Sequence, residues 1–128
     1  MNRRQARETA LKVLFQMEVS GTERSTAVRA VNENDIPLDP FVNQLLDKTL
    51  NHLNDIDSII SKNLVNWSFD RLGNMDRTIL RLAVCELRYF DDIPDTVTIN
   101  EAVELCRTYS DEQSRRFVNG ILSHISKE

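Results

Sequence analysis

Apolar residues recur along this chain at the three- and four-residue spacing of helices, and almost nowhere at the two-residue spacing of strands. Ala6, Ala10, Val13, Leu14 and Met17 fall on one side of a first helix that should stop near Ser20-Gly21. A short second helix is expected after Ser25, carried by Ala27, Val28 and Val31, before Asn32-Glu33-Asn34-Asp35 breaks the pattern. Asp39-Pro40 pairs an N-cap side chain with a proline whose missing N–H costs nothing at the first helical position. Phe41, Val42, Leu45, Leu46, Thr49, Leu50 and Leu53 follow at helical spacing. Asn54-Asp55 reads as a junction, and Ile56, Ile59, Ile60 and Leu64 continue to about Val65.

Trp67-Ser68-Phe69 reads as a turn whose two aromatics tuck into the core. A longer helix is expected from Met75 to Phe90, ended by Asp91-Asp92-Ile93-Pro94. Thr98-Ile99-Asn100-Glu101 matches a capping box, in which Thr98 and Glu101 each satisfy an orphan backbone donor of a helix reaching about Tyr109. Ser110-Asp111-Glu112-Gln113 then caps a last helix holding Phe117, Val118, Ile121, Leu122 and Ile125. The expectation is an all-α fold of six to seven helices in two small packed bundles. The seam falls around residues 66–74, giving an N-terminal subdomain of about 1–66 and a C-terminal one of about 67–128 within one domain.

Composition narrows the function. No apolar run approaches the roughly 20 residues of a membrane span, and the N-terminus shows no secretory pattern, so the reading is cytoplasmic, with no membrane partner. Cys85 and Cys106 are far apart, fit no C-x-x-C pattern, and read as reduced, buried or half-buried thiols. The net charge of −4 hides an uneven distribution. Arg3, Arg4, Arg7 and Lys12 stand against Glu8 alone in the first sixteen residues, while the middle of the chain is acidic. A weakly basic tip on an acidic body can hold phosphate locally and repel it elsewhere.

Catalytic patterns are lacking. His52 and His124 sit singly, the three glycines are isolated, and no nucleophile elbow or dinucleotide fingerprint occurs. No enzyme activity, metal or cofactor is expected. The first helix is more informative. Arg4, Arg7, Leu11 and Phe15 fall on one strip at about 100° per residue, with Arg3 close by. Cations crowd a helix start, where the macrodipole disfavours them unless an anion neutralises them. Two readings are open: phosphates on the arginines with Phe15 stacking on an unpaired base, or arginines paired with Asp or Glu and Phe15 in the core. In the last helix, Arg115 and Arg116 precede Phe117-Val118-Asn119-Gly120. A mid-helix glycine costs roughly 1 kcal/mol, which points to close approach of another helix, the commoner reason, or of a ligand. Phe117 is either core or a second stacking surface.

Four segments carry a resemblance: Arg3-Arg4-Gln5-Ala6-Arg7-Glu8-Thr9-Ala10-Leu11, then Met75 to Ala83 with Glu86-Leu87, then Ile93-Pro94 with Ile99 to Leu105, then Phe117-Val118-Asn119-Gly120-Ile121-Leu122. In order and spacing they resemble the NusB family of transcription antitermination factors, over the whole chain except roughly residues 20–40. The resemblance implies two small helical bundles and a role in bacterial antitermination of ribosomal RNA transcription. It implies binding of single-stranded boxA RNA together with NusE, a ribosomal protein, within the RNA polymerase antitermination complex. By position it assigns RNA binding to Arg3, Arg4, Arg7, Phe15, Gln113, Arg116 and Phe117, and partner binding to Asp70 and Asp76. Phe15 stands where the family often has tyrosine, and Gln5 where some members carry a basic residue. A homodimer is one assembly state the resemblance allows. Two rival readings are a protein-interaction scaffold without RNA contact, and a detached N-terminal domain of a ribosomal RNA cytosine methyltransferase.

Overall fold

The computed structural model describes residues 1–128 and is helical throughout, with no strand. Seven α-helices follow in order: α1 (Arg3–Ser20), α2 (Arg24–Val31), α3 (Pro40–Asn51), α4 (Leu53–Lys62), α5 (Asn74–Tyr89), α6 (Asp95–Tyr109) and α7 (Glu112–Ser126). A short 3₁₀ turn, Phe69–Arg71, lies between α4 and α5. Helix α5 is central: α1, α3, α4, α6 and α7 all pack against it, and α6 packs along α7. Its face of Ile79, Leu80, Leu82, Ala83 and Val84 is buried, and it joins residues from every α-helix in one contiguous apolar core. At roughly 1.5–3 kcal/mol for each large apolar side chain removed from water, this core is the main source of stability.

The helix ends follow local chemistry. Asn2 accepts from the Gln5 amide at 2.8 Å, and Gln5 Oε1 accepts from the Asn2 amide at 2.9 Å, a reciprocal cap for α1. That is what Gln5 does here in place of a basic residue. Gly21, at φ 65°, closes α1 in the left-handed conformation that glycine adopts without a Cβ penalty. Asp39 accepts from the Phe41 amide at 2.8 Å and Asp111 from the Ser114 amide at 2.8 Å, which starts α3 and α7.

Several local expectations are corrected. The break between α3 and α4 falls at the single residue His52, not at Asn54-Asp55. The His52 ring stacks face to face on Tyr89, with centroids 3.9 Å apart. The box Thr98–Glu101 does not cap α6, which begins three residues earlier, after Pro94. Both side chains have other partners: Thr98 donates to buried Glu86, and Glu101 accepts from Arg4. Trp67 is not in the core but 53% exposed, beside Asn66 in the left-handed region at φ 58°. Gly120 faces open space, since a Cβ built there would meet nothing within 4 Å, so close helix packing does not account for it. Cys85 and Cys106 are free and buried.

Candidate nucleic-acid and partner interface

The arginines of the α1 tip are each matched by a carboxylate from the second half of the chain. Arg3 lies over the Phe41 ring at 4.3 Å, with Asp92 a loose 3.8 Å away, both partners exposed. Arg4 forks onto Glu101 through its Nε at 3.0 Å and a terminal nitrogen at 3.1 Å. This contact, with Glu101 charge added, holds the guanidinium above its usual pKa. Arg7 follows the second of the two readings open for the strip, an arginine paired with a carboxylate. It is buried and forks onto buried Glu86 at 2.9 and 2.8 Å, while Thr98 donates to the same carboxylate at 3.2 Å. The cost that the macrodipole imposes on cations at a helix start is thus offset internally, by residues 79 to 97 positions distant.

Further along α1, Glu8 accepts from the Tyr109 hydroxyl at 2.7 Å, which ties α1 to the end of α6. Burial, then the Glu8 contact, push the Tyr109 phenol up to about 12. Beyond this tie Phe15 is half-buried in a shallow groove with Leu11, Lys12, Val31, Met75 and Tyr109. Lys12 is exposed on the rim and has no ion-pair partner.

A second cleft lies where α5 and α7 begin. It has a volume of about 320 Å³ and is lined by Trp67, Leu72, Asp76, Gln113, Ser114 and Phe117, among others. Asp76 organises it: one carboxylate oxygen accepts from the Ser110 hydroxyl at 2.8 Å, the other from the Ser114 hydroxyl at 2.6 Å. The α6–α7 turn is fastened by these bonds to the first turn of α5. Gln113, Arg116, Phe117 and Gly120 then share one face of α7, at spacings of three and four. Gln113 and Arg116 are exposed and Phe117 is half-buried, so Phe117 serves the core and the cleft wall together. Arg116 makes one exposed i,i+4 pair with Glu112 at 3.3 Å, which is weak in water.

Asp70 and Asp76 differ. Asp70 is exposed in the 3₁₀ turn, whereas both Asp76 oxygens are occupied internally. The turn itself is held by Arg77, which donates to the Phe69 carbonyl at 3.2 Å, to Asn74 at 2.6 Å and to Glu18 at 3.2 Å. Arg81 adds a fork on Asp57 at 2.8 and 2.9 Å and a bond to Glu18. Sequence reading missed this brace; its one local sign is the four-residue spacing of Arg77 and Arg81. It also missed Trp67 as a surface group, although an aromatic set between Asn66 and Ser68 in a polar turn was a signal.

Fold and surface together define a class: small seven-helix proteins whose distinctive side chains line shallow clefts between helix ends. No group of three or more His, Cys, Asp or Glu is placed to hold a metal, and no helix is long and apolar enough to cross a membrane. The chain belongs to the NusB family, whose model matches residues 4–127. It is 49% identical to the transcription antitermination protein NusB of Exiguobacterium sp. strain AT1b, with all of this chain and 99% of that protein covered. It is 45% identical to the protein of the same name from Bacillus subtilis, covering all of this chain and 97% of the relative. Among solved structures, T. maritima NusB aligns with a TM-score of 0.89 at 36% identity, over 100% of this chain and 92% of that one. A NusB chain in a complex of antitermination factors NusB and NusE with double-stranded RNA aligns with a TM-score of 0.88 at 36% identity, over 98% and 96%.

Proposed function

We propose that this protein is a bacterial transcription antitermination factor, one that binds single-stranded boxA-type RNA together with a NusE-type ribosomal protein and supports ribosomal RNA transcription. The observation that carries the reading is the α5–α7 cleft: exposed Trp67 and half-buried Phe117 share it with Gln113, and Arg116 stands beside it. Unpaired bases stack on aromatic faces, amides read base edges, and guanidinium forks hold phosphate. Arg3, Arg4 and Arg116 are the phosphate contacts of this reading, and Phe15 offers a further stacking edge. Arg7 acts as the positioning residue that fixes the α1 tip. Asp70, exposed and unpaired, faces the protein partner, with Asp76 holding the cleft in shape. No bond-making chemistry is required, and the setting is the cytoplasmic RNA polymerase antitermination complex.

Three phosphate contacts would give a slope of about −2 for log affinity against log salt, a modest affinity that a second protein would complete. The test is fluorescence anisotropy with a boxA-like RNA, a scrambled strand and a duplex, with and without the NusE-type partner, at two salt concentrations. Preference for boxA that strengthens with the partner is expected. Absence of any preference would sink the reading, and tightest binding to the duplex would replace the single-stranded part of it. Sedimentation of the free protein would show whether it forms a homodimer.

One observation favours a second reading, a scaffold without RNA contact: Arg3, Arg4 and Arg7 all have carboxylate partners already. That reading expects Arg3 and Arg4 to be neutralised without loss of partner binding or of antitermination. The division into residues 1–66 and 67–128 belongs to the same proposal. Limited proteolysis is expected to cut first in the turn holding exposed Val65 and Trp67.

A further inference from the structure

The three tip arginines are held in three different ways. Arg7 is locked inside with Glu86, beyond the reach of any ligand. Arg3 and Asp92 are both exposed and 3.8 Å apart, a contact that water and salt displace readily. Arg4 is the intermediate case: its side chain is 58% exposed, but its partner Glu101 is only 19% exposed. Glu101 sits on α6 with its carboxylate largely covered and its hydrogen bonds spent on Arg4, while the arginine faces solvent.

The guanidinium edge formed by Nε and one terminal nitrogen matches a carboxylate or a phosphate equally well, and Glu101 occupies it. Glu104 and Glu8 add their negative charge at the same guanidinium. Three carboxylates therefore bear on one guanidinium, although Glu104 also pairs loosely with Arg107 at 3.7 Å, and a phosphate approaching Arg4 meets their negative charge. We propose that Glu101 is an affinity-setting residue of the RNA site: it holds the Arg4 fork in the free protein, and an RNA phosphate must displace it to bind. The inference rests on the RNA-binding reading above. Its consequence is selectivity, because a strand held only by its backbone gains little at Arg4, whereas one anchored elsewhere by its bases can complete the exchange.

The test compares Glu101→Gln with the wild-type protein by anisotropy on the boxA-like strand and its scrambled control. Glu101→Gln should bind both strands more tightly, by about fivefold, with the larger gain on the scrambled strand. On the scrambled strand, one more phosphate engaged makes the salt slope steeper by about 0.7, while on the boxA-like strand, where Arg4 is already engaged, the slope holds. In an Arg4→Gln background the same change should give no gain. Unchanged or weaker binding by Glu101→Gln would overturn the proposal and make Glu101 a positioning residue for Arg4. A gain that persists without Arg4 would overturn it too, as an effect of net charge alone. Should Glu101→Gln fail to fold, Glu104→Gln carries the test, with a smaller gain that again requires Arg4; no gain there overturns the proposal. If the wild-type protein binds no RNA at all, the functional reading falls and this inference with it. If it binds and the variants show no gain, only the inference falls.

Discussion

Arg7 and Glu86 meet inside the protein as a two-point fork, 2.9 and 2.8 Å long, joining the first turns of α1 to the last turn of α5. Thr98 brings α6 to the same carboxylate. Removing one member of a buried pair leaves the other charged and unanswered, a loss of about 3–5 kcal/mol. Arg7→Ala and Glu86→Ala should each destabilise by that order in urea unfolding, and Arg7→Lys, which keeps the charge but loses the fork, by less. A stability change below about 1 kcal/mol joined to a loss of RNA binding would return Arg7 to the RNA contacts.

Gly120 gives the reverse outcome. It lies in an exposed helix position with nothing near its missing Cβ. Gly120→Ala should stabilise α7 by about 1 kcal/mol, visible as a raised Tm. If RNA lies along the Gln113–Arg116–Phe117–Gly120 face, the same variant binds RNA more weakly. Unchanged stability would mean that the added methyl meets a neighbour in the folded protein and that the position is not open.

The aromatics of the α5–α7 cleft separate packing from stacking. Trp67 is 53% exposed, so Trp67→Ala should change Tm little, whereas Phe117→Ala also removes core contact and should lower it. A stacked base is worth about 1–3 kcal/mol, so RNA affinity should fall about five- to 150-fold wherever stacking occurs. Intact binding by both variants would place the bases elsewhere.

The two aspartates should respond differently to substitution. Asp70→Lys reverses an exposed, unpaired charge, and pull-down of the NusE-type partner should weaken while RNA binding by the isolated protein holds. Asp76→Ala unfastens Ser110 and Ser114, so its first effect should be a lowered Tm and altered amide shifts at the start of α7. Equal loss of RNA and partner binding in Asp70→Lys would contradict separate surfaces.

Burial pushes the Cys85 thiol up to about 11 and the Cys106 thiol up to about 12. Both stay protonated at pH 8, so iodoacetamide should label neither in the native protein and both after denaturation. A raised folded pKa sets the sign of the pH dependence. The contribution of these thiols is complete below the unfolded thiol value and is lost as pH rises from there through 11 and 12. Mass spectrometry of labelled protein and alkaline unfolding midpoints check the two halves of this prediction.

The apolar periodicity carried the helices because burial on α5 selects one face of each partner, and that face is written in the local sequence. Asp39-Pro40, Asp111 and Gly21 were legible for the same reason, since a cap needs only its neighbours. What was not legible depends on groups brought together from afar. Nothing near Thr98 or Glu101 reveals that Glu86 and Arg4 will take their side chains, so a sound local cap pattern stands inside the helix instead. The basic strip of α1 shows the same limit. Its spacing was correct, but whether an arginine faces water or a carboxylate is settled by residues in α5 and α6.

These long separations also govern the order in which the molecule can be completed. The partners of α1 lie 79, 97 and 101 positions downstream, at Glu86, Glu101 and Tyr109. Ribosomes add about 5–20 residues each second, so α1 waits about 4–20 s for them. Through that interval its arginines are unneutralised and its apolar face has no α5 to cover it. The nascent first helix is therefore a cationic amphipathic segment, and the protein acquires its final surface charge only as its last third is synthesised.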